Sequence, residues 1–175
     1  MKKFELTAES KINIFGKKLF RIKALISFGD VEEGETGGWI EKEENLEQSS
    51  GDAWVYGNAE VYGNARVYGN ARVSGDARVS GDAEVYGNAR VSGDAEVYGN
   101  ADYTTIHGFG TQFRTTTFFQ CEDKQIRVSC GCFLGTIPEF REQVKNTREG
   151  KIAEEYLMIA DLMEKHFVKE KESGE

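Results

Sequence analysis

The side chains best suited to chemistry are few, and they gather toward the C-terminal end of the sequence. The 175-residue chain has two histidines, His107 and His166, and three cysteines, Cys121, Cys130 and Cys132. Cys130-Gly131-Cys132 lacks the Cys-x2-Cys spacing of a zinc knuckle, so the cysteines read as small residues packed on a strand pair rather than as metal ligands with His166. An odd number of thiols in one segment fits a reducing compartment better than a disulfide framework. His107 lies in a Gly-rich loop, where a lone imidazole reads as a surface residue that could border a cleft. Arg114, Arg127, Arg141 and Arg148, with aromatics nearby, have the chemistry to hold phosphate. Interleaved Glu and Asp predict instead a solvated mixed surface. No Gly-rich phosphate loop accompanies them, and Gly108-Phe109-Gly110 is too short to serve as one. These patterns assign no catalytic residue, no metal and no cofactor.

Composition sets wider bounds. A formal net charge of −8 argues against a general nucleic-acid or anionic-membrane binder, because such surfaces need excess Lys and Arg to displace counterions; local basic patches stay open. The start, MKKFELTAES, has no apolar signal core, and no run approaches the ~18 to 20 apolar residues of a membrane span, so the sequence predicts a cytoplasmic protein.

The elements that must position any site are dominated by one phrase. From Ala53 to Asn100 the sequence reads AWVYGN, AEVYGN, ARVYGN, ARVSGD, ARVSGD, AEVYGN, ARVSGD and AEVYGN. A fixed short period means a solenoid, whose units are too small to bury an apolar face alone and must stack. Val is expected inside, Ala where the chain bends, Gly at the turn, and Asn or Asp completing the corner. Residues 1–50 form an N-terminal β-rich cap, 51–106 the repeat, and 107–175 a C-terminal region. There FFQCEDKQIRVSCGCF predicts a hairpin around Glu122-Asp123-Lys124. Thr136 and Glu139 make a capping box with Pro138 in the first turn, opening a helix that runs to about Thr147. After Gly150, the spacing of Ile152, Tyr156, Ile159, Met163 and Phe167 predicts a second amphipathic helix. Its stripe, widened by Leu157, Met158 and Leu162, packs on the hairpin or offers a partner face at Tyr156, Met158, Leu162 and Met163. The charged tail VKEKESGE reads as frayed.

The repeat resembles the hexapeptide repeat of left-handed parallel β-helices, the fold of the bacterial hexapeptide transferases, as in Val55 followed by Ala59. That resemblance implies a mainly β fold: a left-handed parallel β-helix with an N-terminal β cap and a C-terminal hairpin plus two α-helices. It also implies three hexads per turn, so residues 18 apart should stack: Glu60 over Arg78 over Glu96, Arg66 over Glu84 over Asp102, and Trp54 over Arg72 over Arg90. Proteins of this fold are typically homotrimers, for which Tyr56, Tyr62, Tyr68, Tyr86 and Tyr98 are candidate packing residues. Its acyltransferases use a histidine base between subunits, whereas these eight hexads hold no His; the related carbonic anhydrases need three His on zinc, and this chain has two. FGDVEEGETGGWIEKEENL, AWVYGNAEVYGNARV, FRTTTFFQCEDKQIRVSCGCFLGTIPEFREQV and EYLMIADLME further resemble small phage and prophage hexapeptide-repeat proteins.

The expected function is therefore a phage-type, non-enzymatic homotrimeric scaffold that binds a host or phage protein, for instance to inhibit a host defence factor. The alternative is a trimer that holds a small anionic, nucleotide-like ligand between subunits near Trp54, Arg72, Arg90 and His107. An acyltransferase is the third.

Overall fold

The fold was read from a computed structural model, which describes residues 1–168; the tail expectation falls on residues 169–175, outside the described residues. Fifteen strands are followed by two helices. Each hexad contributes one two-residue strand and one corner. In chain order these strands are β4 (Trp54–Val55), β5 (Glu60–Val61), β6 (Arg66–Val67), β7 (Arg72–Val73), β8 (Arg78–Val79), β9 (Glu84–Val85), β10 (Arg90–Val91) and β11 (Glu96–Val97). Before them come β1 (Phe4–Ile12), β2 (Lys18–Ala24) and β3 (Thr36–Ile40).

Strands three apart in sequence pair in parallel, giving the faces β3-β5-β8-β11, β4-β7-β10 and β6-β9. The register is as the 18-residue spacing predicts: Glu60↔Arg78↔Glu96, Trp54↔Arg72↔Arg90 and Arg66↔Glu84. This is a parallel β-solenoid of about three turns. All eight Val of the repeat and the Ala that open the hexads are 0–1 % exposed and form one core. Burying each Val contributes roughly 1.5 to 3 kcal/mol. At the corners seven of the eight repeat glycines take positive φ, between 60° and 69°. Asn and Asp stack beside them, as in Asn58 Nδ2 to Asp76 Oδ1 at 3.2 Å and Asn64 Nδ2 to Asp82 Oδ1 at 3.0 Å.

The third expected column stops short. Gly99 does not adopt the left-handed turn of its seven predecessors, so the chain leaves the solenoid there. The Asp102 carboxylate accepts the N–H groups of Tyr98 and Gly99 rather than stacking on Glu84. At the other end the coil starts before the first complete hexad. Trp39 pairs with Glu60 and Leu46 bridges to Val67, in a longer first turn. Asn45, fully buried, donates to Ala65 O at 2.8 Å and Gly63 O at 3.2 Å, supplying the partners a further coil would have given.

Both ends are capped. The β1–β2 hairpin extends the first face and brings Phe4, Ile22 and Ala24 onto the prism core. At the far end the predicted hairpin is the middle of a four-stranded antiparallel sheet, β12 (Tyr103–Phe109), β13 (Arg114–Gln120), β14 (Ile126–Cys130) and β15 (Phe133–Thr136). Strand β13 serves two cores because successive side chains point to opposite faces. Phe119 joins the solenoid core, and Phe118 the core under the helices. The helices α1 (Ile137–Thr147) and α2 (Gly150–Phe167) close that second core, and Thr136 with Glu139 forms the expected capping box. No helix among the described residues is long and apolar enough to cross a membrane.

Candidate functional site: an arginine-lined groove

The column Trp54, Arg72, Arg90 shares one face, but its three members meet different surroundings. Trp54 is fully buried under the N-terminal cap, with the rings of Phe4 and Phe28 edge-on at 6.2 and 5.4 Å. It therefore offers nothing to a ligand, which corrects its placement beside a cleft between subunits. A tryptophan at a repeat position otherwise held by Arg or Glu was the signal that something covers this rung. Arg72 is half-buried and ion-paired with Asp30, whose hydrogen bond holds the guanidinium above its ordinary pKa. Only Arg90 faces out.

The C-terminal sheet builds the concavity around Arg90. The Thr117 hydroxyl on β13 accepts the Arg90 backbone N–H at 3.0 Å, fastening β10 beneath the sheet. The chain turns from β12 into β13 through Gly108, Gly110 and Phe113, all at positive φ, and His107, which lies on β12 rather than in a loop, reaches the same rim. There its Nδ1 lies 3.3 Å from Thr115 Oγ1. Arg90, His107, Phe113, Arg114 and Thr115 line an open groove of about 730 Å³, with Asn88, Gly131 and Cys132. Arg90 and His107 thus line the same groove.

Behind the groove, and sharing Arg114 and Cys132 with it, is a cavity of about 110 Å³ between the sheet and α1. Phe109, Phe133, Phe140, Val144 and Tyr156 line its depth, and Arg148, Gln143 and Thr147 lie at its edge. Two glycines shape these walls. A Cβ at Gly131 would come within 2.5 Å of the Arg114 guanidinium, and one at Gly110 within 2.5 Å of the Tyr156 hydroxyl. Tyr156 donates to Phe109 O at 3.2 Å, and burial raises its phenol pKa while the charges of Arg114 and Arg148 pull the other way.

Charge pairing singles this region out. Of the nine arginines, Arg21, Arg72, Arg78, Arg127 and Arg141 pair with carboxylates, and Arg66 lies over the Tyr68 ring. Among the described residues, the three that remain, Arg90, Arg114 and Arg148, line the groove or the cavity, and neither space is lined by Asp or Glu. The mixed-surface expectation thus holds for Arg127 and Arg141 and fails for Arg114 and Arg148. The sheet and the end of α1 carry these two to a wall without acids.

The other candidates separate. Tyr156 and Met163 are 7 % and 6 % exposed in the second core, so they are packing residues and not a partner face; Met158 and Leu162 are 70 % and 57 % exposed. Cys121 is buried in the solenoid core, which pushes its thiol up to about 11, while Cys130 packs in the other core and Cys132 is exposed. His166 stands apart on α2, against Phe167. Among the described residues no group of three or more His, Cys, Asp or Glu is placed to hold a metal ion.

Comparison with known proteins bears on the solenoid. No curated protein matches the chain. A family model described as YdcK Beta solenoid repeat matches residues 59–73, 65–81, 71–87 and 83–99 in overlapping steps. Along that stretch the chain is similar to the YdcK repeat, and together with the rung-by-rung parallel pairing this makes it a repeat β-solenoid protein.

Proposed function

We propose that the protein is a non-enzymatic binding scaffold that holds a small anionic ligand in the groove where its C-terminal sheet meets the solenoid. The observation that carries this reading is that Arg90 and Arg114 line the groove, and Arg114 and Arg148 the adjoining cavity, with no carboxylate lining either space in a chain of net charge −8. Guanidinium groups left unpaired beside one another repel, and a phosphate or carboxylate that accepts two parallel N–H bonds removes that cost. The groove's size falls in the range of small-molecule sites. The likeness of the flanking sequences to phage proteins supports an accessory role in a host cell, with capture of a nucleotide-like signal as a means of countering defence. The likeness to hexapeptide-repeat proteins supports a homotrimer.

Titration of pyrophosphate tests this. Saturable binding is expected for the native protein and for Arg66→Gln, and loss of binding for Arg90→Gln/Arg114→Gln/Arg148→Gln. Equal binding by the triple variant would reject the site.

A second reading is favoured by Met158 and Leu162, which lie four residues apart, one helical turn, on the outer side of α2 and are exposed. They suit an apolar patch on a protein partner. Removing residues 107–175 would not test it, because Phe119 and Cys121 cap the solenoid core. Met158→Glu/Leu162→Glu is the clean perturbation. Capture of a partner from host lysate should be lost in this variant and kept in the arginine triple variant.

A further inference from the structure

We infer that the ligand is an organic phosphate or carboxylate carrying one short apolar group, with its anionic end on Arg90 and Arg114 and the apolar group in the cavity behind Arg114. This rests on the anion reading above. Arg114 and Cys132 line both spaces, so a molecule bound to the Arg114 guanidinium has the cavity mouth beside it.

The depth of the cavity is apolar. Of the lining residues Phe140, Val144 and Tyr156 are buried and Phe109, Cys130 and Phe133 half-buried, whereas Thr111, Gln112, Arg114, Gln143, Thr147 and Arg148 are exposed, and the Tyr156 hydroxyl already donates to Phe109 O. A buried water needs two to four polar partners, which this depth does not supply. Gly110, at positive φ, leaves room for the Tyr156 hydroxyl, which a Cβ there would meet at 2.5 Å.

Size limits the occupant. A cavity of about 150 Å³ accommodates benzene, so about 110 Å³ open on one side takes a short aliphatic branch or the leading edge of a single ring. It does not take a fused purine. A purine nucleotide would place only its phosphate here and leave its base outside.

Calorimetric titration at fixed ionic strength tests the inference with inorganic phosphate, phenyl phosphate, adenosine monophosphate and phenol. Phenyl phosphate is expected to bind at least tenfold more tightly than inorganic phosphate, and more tightly than adenosine monophosphate, with phenol failing to bind. Val144→Phe fills the cavity and should bring phenyl phosphate to within about twofold of inorganic phosphate, whose own affinity is unchanged. The probe comparison on the native protein stands without the variant, should Val144→Phe not fold. Equal affinity for inorganic and phenyl phosphate overturns the apolar subsite while leaving the anion site intact. Tighter binding of adenosine monophosphate than of phenyl phosphate overturns the size limit. Absence of binding by every anion overturns both readings.

Discussion

Val79→Asp places a carboxyl at the centre of the prism. Val79 is fully buried and sits between Val61 and Val97 on neighbouring rungs, with strands spaced about 4.8 Å apart. Losing the valine's burial costs about 1.5 to 3 kcal/mol. A buried carboxyl without a partner adds about 1 to 3 kcal/mol even when protonated. The sum, about 3 to 6 kcal/mol, is a large part of the 5 to 15 kcal/mol typical of a folded domain. At about 2 to 4 °C per kcal/mol for a chain of this size, Tm should fall by roughly 6 to 24 °C in a circular-dichroism melt. Burial would raise the new carboxyl's pKa above its unfolded value. The folded state then binds more protons than the unfolded one, so the deficit is smallest in acid and grows as pH rises through the carboxylate range. The control is Ser74→Asp, at a half-buried position just after β7. Ser80 does not serve, because it is 6 % exposed with its hydroxyl against Tyr62. A Val79→Asp melt no lower than that of Ser74→Asp, or a deficit that shrinks as pH rises, would refute the assignment of faces.

Three further outcomes follow from the same geometry. Gly75→Ala and Gly87→Ala share φ near 70°, but an added Cβ meets the Gly93 backbone at 2.8 Å in the first and nothing within 4 Å in the second. Melting of the pair should show Gly87→Ala mildly destabilised and Gly75→Ala clearly more so. The Glu41 carboxylate accepts the Gly63 N–H at 2.6 Å, which holds its pKa below the usual value. Its stabilisation is therefore present above the ordinary carboxylate range and lost as pH falls, so Glu41→Gln should flatten the acid side of the stability profile. Alkylation at neutral pH should label exposed Cys132 first and Cys121 last, since burial pushes the Cys121 thiol up to about 11 and the thiolate is the nucleophile; mass spectrometry gives the order.

What the sequence made legible were the features that recur or are local. Val inward at every hexad, the 18-residue stacking, the Thr136–Glu139 box and the end of α1 at Thr147 all follow from short-range pattern. Long-range placement was hidden. The alternation of Arg114–Gln120 is masked by a run of Thr and Phe whose two faces are both buried, so the sheet read as a hairpin. Trp54 vanishes under a cap whose fold-back no spacing encodes. The groove needs Arg90 from the solenoid, His107 from β12, Arg114 from the start of β13 and Cys132 from the β14–β15 turn, and the cavity beside it takes Arg148 from the end of α1. Of these, Arg90 and His107 were readable as candidates. Arg114 and Arg148 were set aside for the acids interleaved along the sequence, yet among the described residues neither forms an ion pair and no carboxylate lines the groove or the cavity.

The proposed anion site lies within one chain, at the junction of solenoid and C-terminal sheet. Nuclear magnetic resonance shift mapping of the isotope-labelled protein with pyrophosphate tests it most directly. Saturable shifts are expected at Arg90, His107, Arg114, Cys132 and Arg148, with Asp30, Tyr56 and Arg72 unmoved. Shifts centred on Arg72 and Tyr56, or no saturable shift at any residue, would contradict it.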